Sequence, residues 1–204
     1  MVTAATLGRP AVFLDRDGVI NRTFVVSGKP YAPRQLADFR LLPGSAAAID
    51  SLAAAGYPVF VFTNQPDIGN GLVDPAVVEA MHDRLRRKLR IDDIFCCPHR
   101  QDEGCACRKP APGMLTAAAE RYGLDLASSI VVGDRSSDME AGRRAGCRTV
   151  FVDRGYSETL RVRPDVVVRS LPAAVRHILS DEKGFVPGNL DAAQSYISSG
   201  RVRL

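Results

Sequence analysis

The sequence predicts an α/β fold built on a doubly wound, mostly parallel sheet. Three observations carry that expectation. Short apolar runs rich in Val and Phe recur along the chain and stop abruptly at polar or acidic residues, as strands buried on both faces do. Between them, apolar residues recur at the three-to-four-residue spacing of an amphipathic helix. Gly56, Gly123 and Gly146 punctuate the helical segments. Strand and helix therefore alternate, which calls for crossover connections and parallel pairing.

Taken in order, residues 1–10 read as a lead-in. Residues 11–14 (Ala-Val-Phe-Leu) form a buried strand that ends in Asp15-Arg16-Asp17-Gly18. No period holds from 21 to 40, where Gly28, Pro30 and Pro33 intervene, so a long loop beside the end of the first strand is expected. Ser45 is the expected N-cap of a helix that stops at Gly56. Residues 58–63 are a second buried strand, followed by Asn64-Gln65 and a flexible loop containing Gly69 and Gly71. Asp74 caps a helix from 75 to about 90, with Pro75 at its first position and Val78, Met81, Leu85 and Leu89 on one face. Its basic end, Arg84 to Arg90, suits the helix dipole and reads as a solvated helix end rather than a phosphate or RNA patch. A short strand at 94–97, a helix at 113–122, a strand at 129–133, a helix to about 145, strands at 148–152 and 165–168 and a helix at 172–179 complete the series. One domain is expected over 1–180, with a compositionally distinct tail at 181–204. His82 and His177 read as helix-surface residues, and Asp67 and Asp74 as turn and cap residues.

With 204 residues the chain is long enough for one well-buried domain. It has no bilayer-length apolar run and no signal-peptide pattern, so a cytoplasmic protein is expected. A net charge of +4 is compatible with a phosphorylated substrate and too small to argue for nucleic acid. No membrane partner is expected, and a monomer is. Four of the five cysteines crowd into residues 96–107, which reads as metal before disulfide.

Parallel strands bring their carboxyl ends to one edge of the sheet. That edge should collect Asp15, Asp17, Thr63, Asn64, Asp134 and Asp138, with Lys109 reaching it from a loop. Carboxylates that hold Mg²⁺, together with a lysine and a hydroxyl, surround an anion of spread charge, as phosphoryl transfer requires. Asp15 is placed to attack phosphorus as a nucleophile. Asp17 is placed to protonate the leaving oxygen and then to activate water.

Asp15-Arg-Asp17-Gly18, Thr63, Lys109 and Gly133-Asp134-x-x-x-Asp138 resemble the four motifs of the haloacid dehalogenase superfamily of phosphatases, in order, over residues 11–152. The resemblance implies a Rossmann-like core with a minimal cap. It also implies Asp15, Asp134 and the Asp17 carbonyl as Mg²⁺ ligands, Thr63 and Lys109 as holders of the phosphoryl group, and Asp138 as a residue that orients the metal site.

Cys97-Pro-His99 and Cys105-Ala-Cys107 offer three thiolates and an imidazole, the donor set of a structural Zn²⁺ that would brace a loop at 96–109. Cys96 and Cys147 read as plain buried thiols. The zinc loop followed by Arg108-Lys109-Pro110 resembles the nearly cap-less branch of heptose bisphosphate and histidinol-phosphate phosphatases. That branch implies Asn64, Gln65, Arg108 and Arg135 as substrate-binding residues. It also implies hydrolysis of D-glycero-D-manno-heptose 1,7-bisphosphate to the 1-phosphate. Histidinol-phosphate hydrolysis and a non-catalytic, zinc-braced binding module are the alternatives. Residues 22–31 and Pro66 depart from the heptose pattern, and the five-residue gap in the zinc loop is closer to the histidinol-phosphate spacing.

Overall fold

The structure, a computed structural model, describes residues 8–180. The expected tail at 181–204 and most of the lead-in lie outside the described residues. In chain order the elements begin with β1 (Val12–Leu14), a hairpin of β2 (Phe24–Val26) and β3 (Lys29–Tyr31), α1 (Ser45–Ala54), β4 (Val59–Asn64), α2 (Pro66–Gly69), α3 (Pro75–Lys88) and β5 (Asp93–Cys97). They continue with α4 (Gly113–Tyr122), β6 (Ile130–Gly133), α5 (Ser136–Arg144), β7 (Arg148–Val152), β8 (Val166–Val168) and α6 (Leu171–Ser180).

Six strands form one sheet in the order β5-β4-β1-β6-β7-β8, and every pairing is parallel. The chain starts at β1, builds outward through β4 and β5, then crosses back to β6 on the other side. β1 therefore lies at the point where the strand order reverses, the place where open α/β sheets bind ligands. Alternate strand residues serve the two faces. Val12, Leu14, Val61 and Val132 pack with Ile49, Leu52, Leu85 and Ile178 of α1, α3 and α6. Phe13, Phe60, Phe62 and Val131 pack with Leu115 and Met139 of α4 and α5. The sheet is doubly wound, as expected.

The structure corrects the sequence reading in four places. Residues 21–40 are not a plain loop, because they contain the β2–β3 hairpin. Ser27 and Gly28 both adopt positive φ, 50° and 76°, the two-residue turn whose twist suits a hairpin. Pro30 is tolerated because this ribbon has only two strands, so its missing N–H breaks no central ladder. Ser45 is the first residue of α1 rather than its cap. Gly44, at φ 78°, holds the cap position, and the buried Ser45 hydroxyl has no partner among the described residues. The segment after Gln65 is not a flexible loop throughout, since Pro66 starts the single turn of α2. His82 is not a surface residue: it is buried on the inner face of α3 beside Met81 and Leu85.

Phe60 ties the second layer together, with its ring centroid 5.5 Å from that of Phe13 and 4.9 Å from that of Tyr122. Phe60→Ala is expected to lower unfolding free energy by about 3–5 kcal/mol, measured by denaturant titration. A loss near zero would mean that this layer tolerates a cavity.

Candidate active site

The ends of β1, β4 and β6 deliver Asp15, Thr63 and Asp134 to one edge. Lys109 arrives from the loop before α4. Its ammonium is 2.8 Å from Asp15 Oδ1 and 2.6 Å from Asp138 Oδ1. It also donates to the Phe62 carbonyl at 3.1 Å and sits 4.2 Å from the centroid of the Phe62 ring. Burial works against the lysine charge, but Asp138 and Asp15 outweigh it and raise its pKa. Lys109 is thus a fixed cation in contact with Asp15.

Asp15, Asp134 and Asp138 bring carboxylate oxygens within 4.8 Å of one another. Burial, only partly offset by Lys109, pushes Asp15 up to about 6. Asp134 is raised well above the usual carboxylate range, by burial first and then by Asp15 and Asp138. Both of its side-chain oxygens are buried with no aligned hydrogen bond among the described residues, and the neighbouring Tyr156 hydroxyl offsets the rise only in part. Such orphaned oxygens are costly in a dry site and are what a hard divalent cation takes as ligands. The donor set fits Mg²⁺. Asp138 is engaged instead in structure: its Oδ2 accepts the backbone N–H groups of Asp134 (3.1 Å) and Arg135 (2.9 Å). Gly18 has φ 89°, and a Cβ there would lie 1.7 Å from Asp134 Oδ2, so only glycine lets the first and last motifs meet.

Asp17 receives Gln65 Nε2 on Oδ2 at 2.7 Å and Asn21 Nδ2 on Oδ1 at 2.8 Å. Gln65 also donates to Thr63 Oγ1 at 2.8 Å. Asn64 accepts from the Lys109 N–H and donates to its carbonyl, both at 3.1 Å. These contacts modify the expectation for Asn64 and Gln65. Both residues line the cavity, and their amides also hold Lys109, Asp17 and Thr63. Arg135 is ion-paired with Glu158, whereas Arg108 and Arg161 line the cavity with no ion pair among the described residues. The cavity holds about 700 Å³ and is rimmed by Tyr31 of the hairpin and by Ser157 and Glu158 of the loop opposite. The Ser157 N–H donates to the Gly28 carbonyl at 2.9 Å, and Thr23 Oγ1 meets the Tyr156 hydroxyl at 2.9 Å, so that loop and the hairpin are fastened together. Tyr156 and Glu158 were not anticipated. Their loop follows β7, and only the strand order reveals that it shares the site's edge.

Cys97, His99, Cys105 and Cys107 form a second cluster on the loop that delivers Lys109. Sulfur–sulfur distances are 3.6 Å for Cys97–Cys105 and 3.5 Å for Cys105–Cys107, and His99 Nδ1 lies 3.6 and 3.2 Å from Cys97 and Cys107. Zn–S bonds of about 2.3 Å place tetrahedral sulfurs about 3.8 Å apart, so the four donors fit zinc. Burial pushes the Cys97 thiol up to about 12; Cys105, despite burial, is drawn down to about 7 by hydrogen bonds led by that of Cys107. Cys96 lies outside the cluster, as expected.

Comparison with known proteins gives one consistent result. A HAD-hydrolase-like family model matches residues 106–174. The chain is 42% identical over 152 residues, 71% of its length and 80% of the relative, to D-glycero-beta-D-manno-heptose-1,7-bisphosphate 7-phosphatase of Bordetella bronchiseptica. It is 43% identical over 154 residues, 73% of its length and 84% of the relative, to the Pseudomonas aeruginosa protein of the same name. The crystal structure of D,D-heptose 1,7-bisphosphate phosphatase from B. bronchiseptica, complexed with magnesium and phosphate, superposes with a TM-score of 0.74 at 36% identity, covering 84% of this chain and 99% of that one.

Asp15 and Asp134 both have folded pKa values above their unfolded ones. Their contribution to the metal-free protein is therefore favourable at low pH, where both are protonated, and is lost as pH rises through their folded values. Mg²⁺ is expected to raise Tm more near pH 8 than near pH 5. Asp134→Asn is expected to raise the Tm of the metal-free protein at neutral pH and to abolish the Mg²⁺ shift. Differential scanning calorimetry checks both, and a destabilised Asp134→Asn would contradict them.

Proposed function

This chain belongs to the haloacid-dehalogenase-like phosphatases of the heptose bisphosphate branch, and on that footing we propose that it dephosphorylates D-glycero-D-manno-heptose 1,7-bisphosphate to the 1-phosphate. The observation that carries the reading is the buried Lys109 ammonium held against Asp15 beside the orphaned carboxylate of Asp134.

In the reaction, a carboxylate oxygen of Asp15 attacks phosphorus while the bond to the sugar oxygen breaks. Asp17 gives its proton to that oxygen, and the sugar leaves as the alcohol. Lys109 and Thr63 flank the phosphoryl oxygens. Asp17, now a carboxylate, takes a proton from water as the water oxygen attacks the aspartyl-phosphate. The bond to Asp15 breaks and inorganic phosphate is released. Asp15, Asp134 and the Asp17 carbonyl are the residues that would hold Mg²⁺, which neutralises the phosphoryl charge when bound.

The guanidinium groups of Arg108 and Arg161, which line the cavity with no ion pair among the described residues, support a substrate with a second anion, which a guanidinium can fork. Arg135, tied to Glu158, would reach substrate only by giving up that pair. Cys97, His99, Cys105 and Cys107 would hold a structural zinc whose role is to fix the loop carrying Arg108 and Lys109. Reduced thiols in that role suit a cytoplasmic setting.

Asp15→Asn is expected to reduce turnover by at least about 10³-fold without loss of secondary structure; retained turnover would remove Asp15 as the nucleophile. Across both heptose bisphosphate anomers and histidinol phosphate, kcat/KM should favour a bisphosphate, and a higher value for histidinol phosphate would reassign the substrate. Cys105→Ser should lower bound zinc, by elemental analysis, and soluble yield together. A stable wild-type protein with no zinc would refute the structural metal.

A further inference from the structure

Arg16 stands between the two acids of the first motif; its backbone N–H donates to Asp15 Oδ1 at 2.7 Å, yet its side chain belongs to neither the carboxylate cluster nor the cavity wall. Its side chain is the largest of the fully buried ones among the described residues, at 0% exposure. Its guanidinium grips Asp17 Oδ2 through Nε at 3.1 Å and Nη2 at 2.9 Å. Its remaining terminal nitrogen, Nη1, points to His82 Nε2 at 3.2 Å. Its plane lies over Phe39, 5.5 Å from the ring centroid. Arginine has no lone pair to offer, so His82 must accept through an unprotonated Nε2. His82 Nδ1 faces Glu79 at 3.4 Å, which suits the Nδ1–H tautomer.

A guanidinium buried this deeply costs more than an apolar side chain of the same volume. Packing alone does not account for it. Its effect falls on one atom. With Arg16 and Gln65 together, three N–H groups converge on Asp17 Oδ2, whereas Oδ1 meets only Asn21. An oxygen facing three donors has no room for a proton of its own. The proton that Asp17 delivers must then sit on Oδ1.

We propose that Arg16, braced from behind by His82 and Phe39, is a positioning residue for the acid–base step: it pins Asp17 Oδ2 and leaves Oδ1 as the atom that carries the proton. This rests on the reading of Asp17 as the acid–base group.

The leaving group separates positioning from mere structure. kcat/KM reports the steps through cleavage of the substrate P–O bond, and 4-nitrophenolate departs from phosphorus without needing a proton. Arg16→Met is expected to lower kcat/KM on the heptose bisphosphate about 10²-fold and on 4-nitrophenyl phosphate by no more than about 3-fold. His82→Leu should move the same way to a smaller extent. His82→Gln, which keeps an acceptor for Nη1, should recover most of the His82→Leu loss. Equal losses on both substrates, or no loss on the sugar phosphate, would overturn the proposal. Asp17→Asn run alongside identifies which reading fails. If it too lacks leaving-group dependence, the acid–base assignment is wrong; if it alone shows the dependence, the Arg16 inference is. Should Arg16→Met not fold, the contrast between His82→Leu and His82→Gln decides.

Discussion

A lysine ammonium withdrawn from water and held between Asp15 and Asp138 is the contact on which the rest of the site depends. None of the three charges is tolerable there alone. Each comes from a different part of the chain: the end of β1, the loop before α4, and the first turn of α5. The site therefore forms as a unit. The two hydrogen bonds between the Asn64 side chain and the Lys109 backbone set how far the lysine reaches, and Asp138 in turn caps the turn that presents Asp134. Asp134 is left outside these pairings, with two buried oxygens that fit a hard cation.

The acidic motif has a wet side and a dry side. Asp15 and Asp134 look toward the cavity, with Lys109 between Asp15 and Asp138. Arg16, His82 and Phe39 occupy the opposite side, sealed under α3. Asp17 belongs to both, lining the cavity while its carboxylate is anchored from behind. The hairpin and the 153–161 loop close the rim above it through Tyr156 and Ser157.

Much of this was legible in the sequence, for identifiable reasons. The strands that carry the motifs are continuous apolar runs with abrupt polar ends, and that abruptness marks the functional edge. The limits of α4 were legible because Gly123 closes it in the left-handed conformation. The hairpin is hard to read locally because Gly28 and Pro30 look like breakers, whereas Gly28 belongs to the tight turn and Pro30 to a tolerated position of the two-stranded ribbon. His82 was misjudged although the period contained the answer: it lies four residues after Val78 and three before Leu85, on the buried face. The partners of Asn64 and Gln65 could not be read locally. Their donors are placed by tertiary approach, and a small amide after a strand looks the same whether it binds a ligand or another loop.

The pairing of β4 with β5 sets Asn64 opposite Cys97. One of these residues holds the Lys109 backbone, and the other opens the thiol cluster. The two ends of the 97–109 segment are therefore referenced to the same rung of the sheet. Insertions and deletions should then be borne very unequally. Between His99 and Cys105 the chain is exposed, and its length can drift over evolution without shifting either end. A single residue added within β5 would turn Cys97 to the other face, and the thiol cluster would lose its first donor while every catalytic side chain was still present.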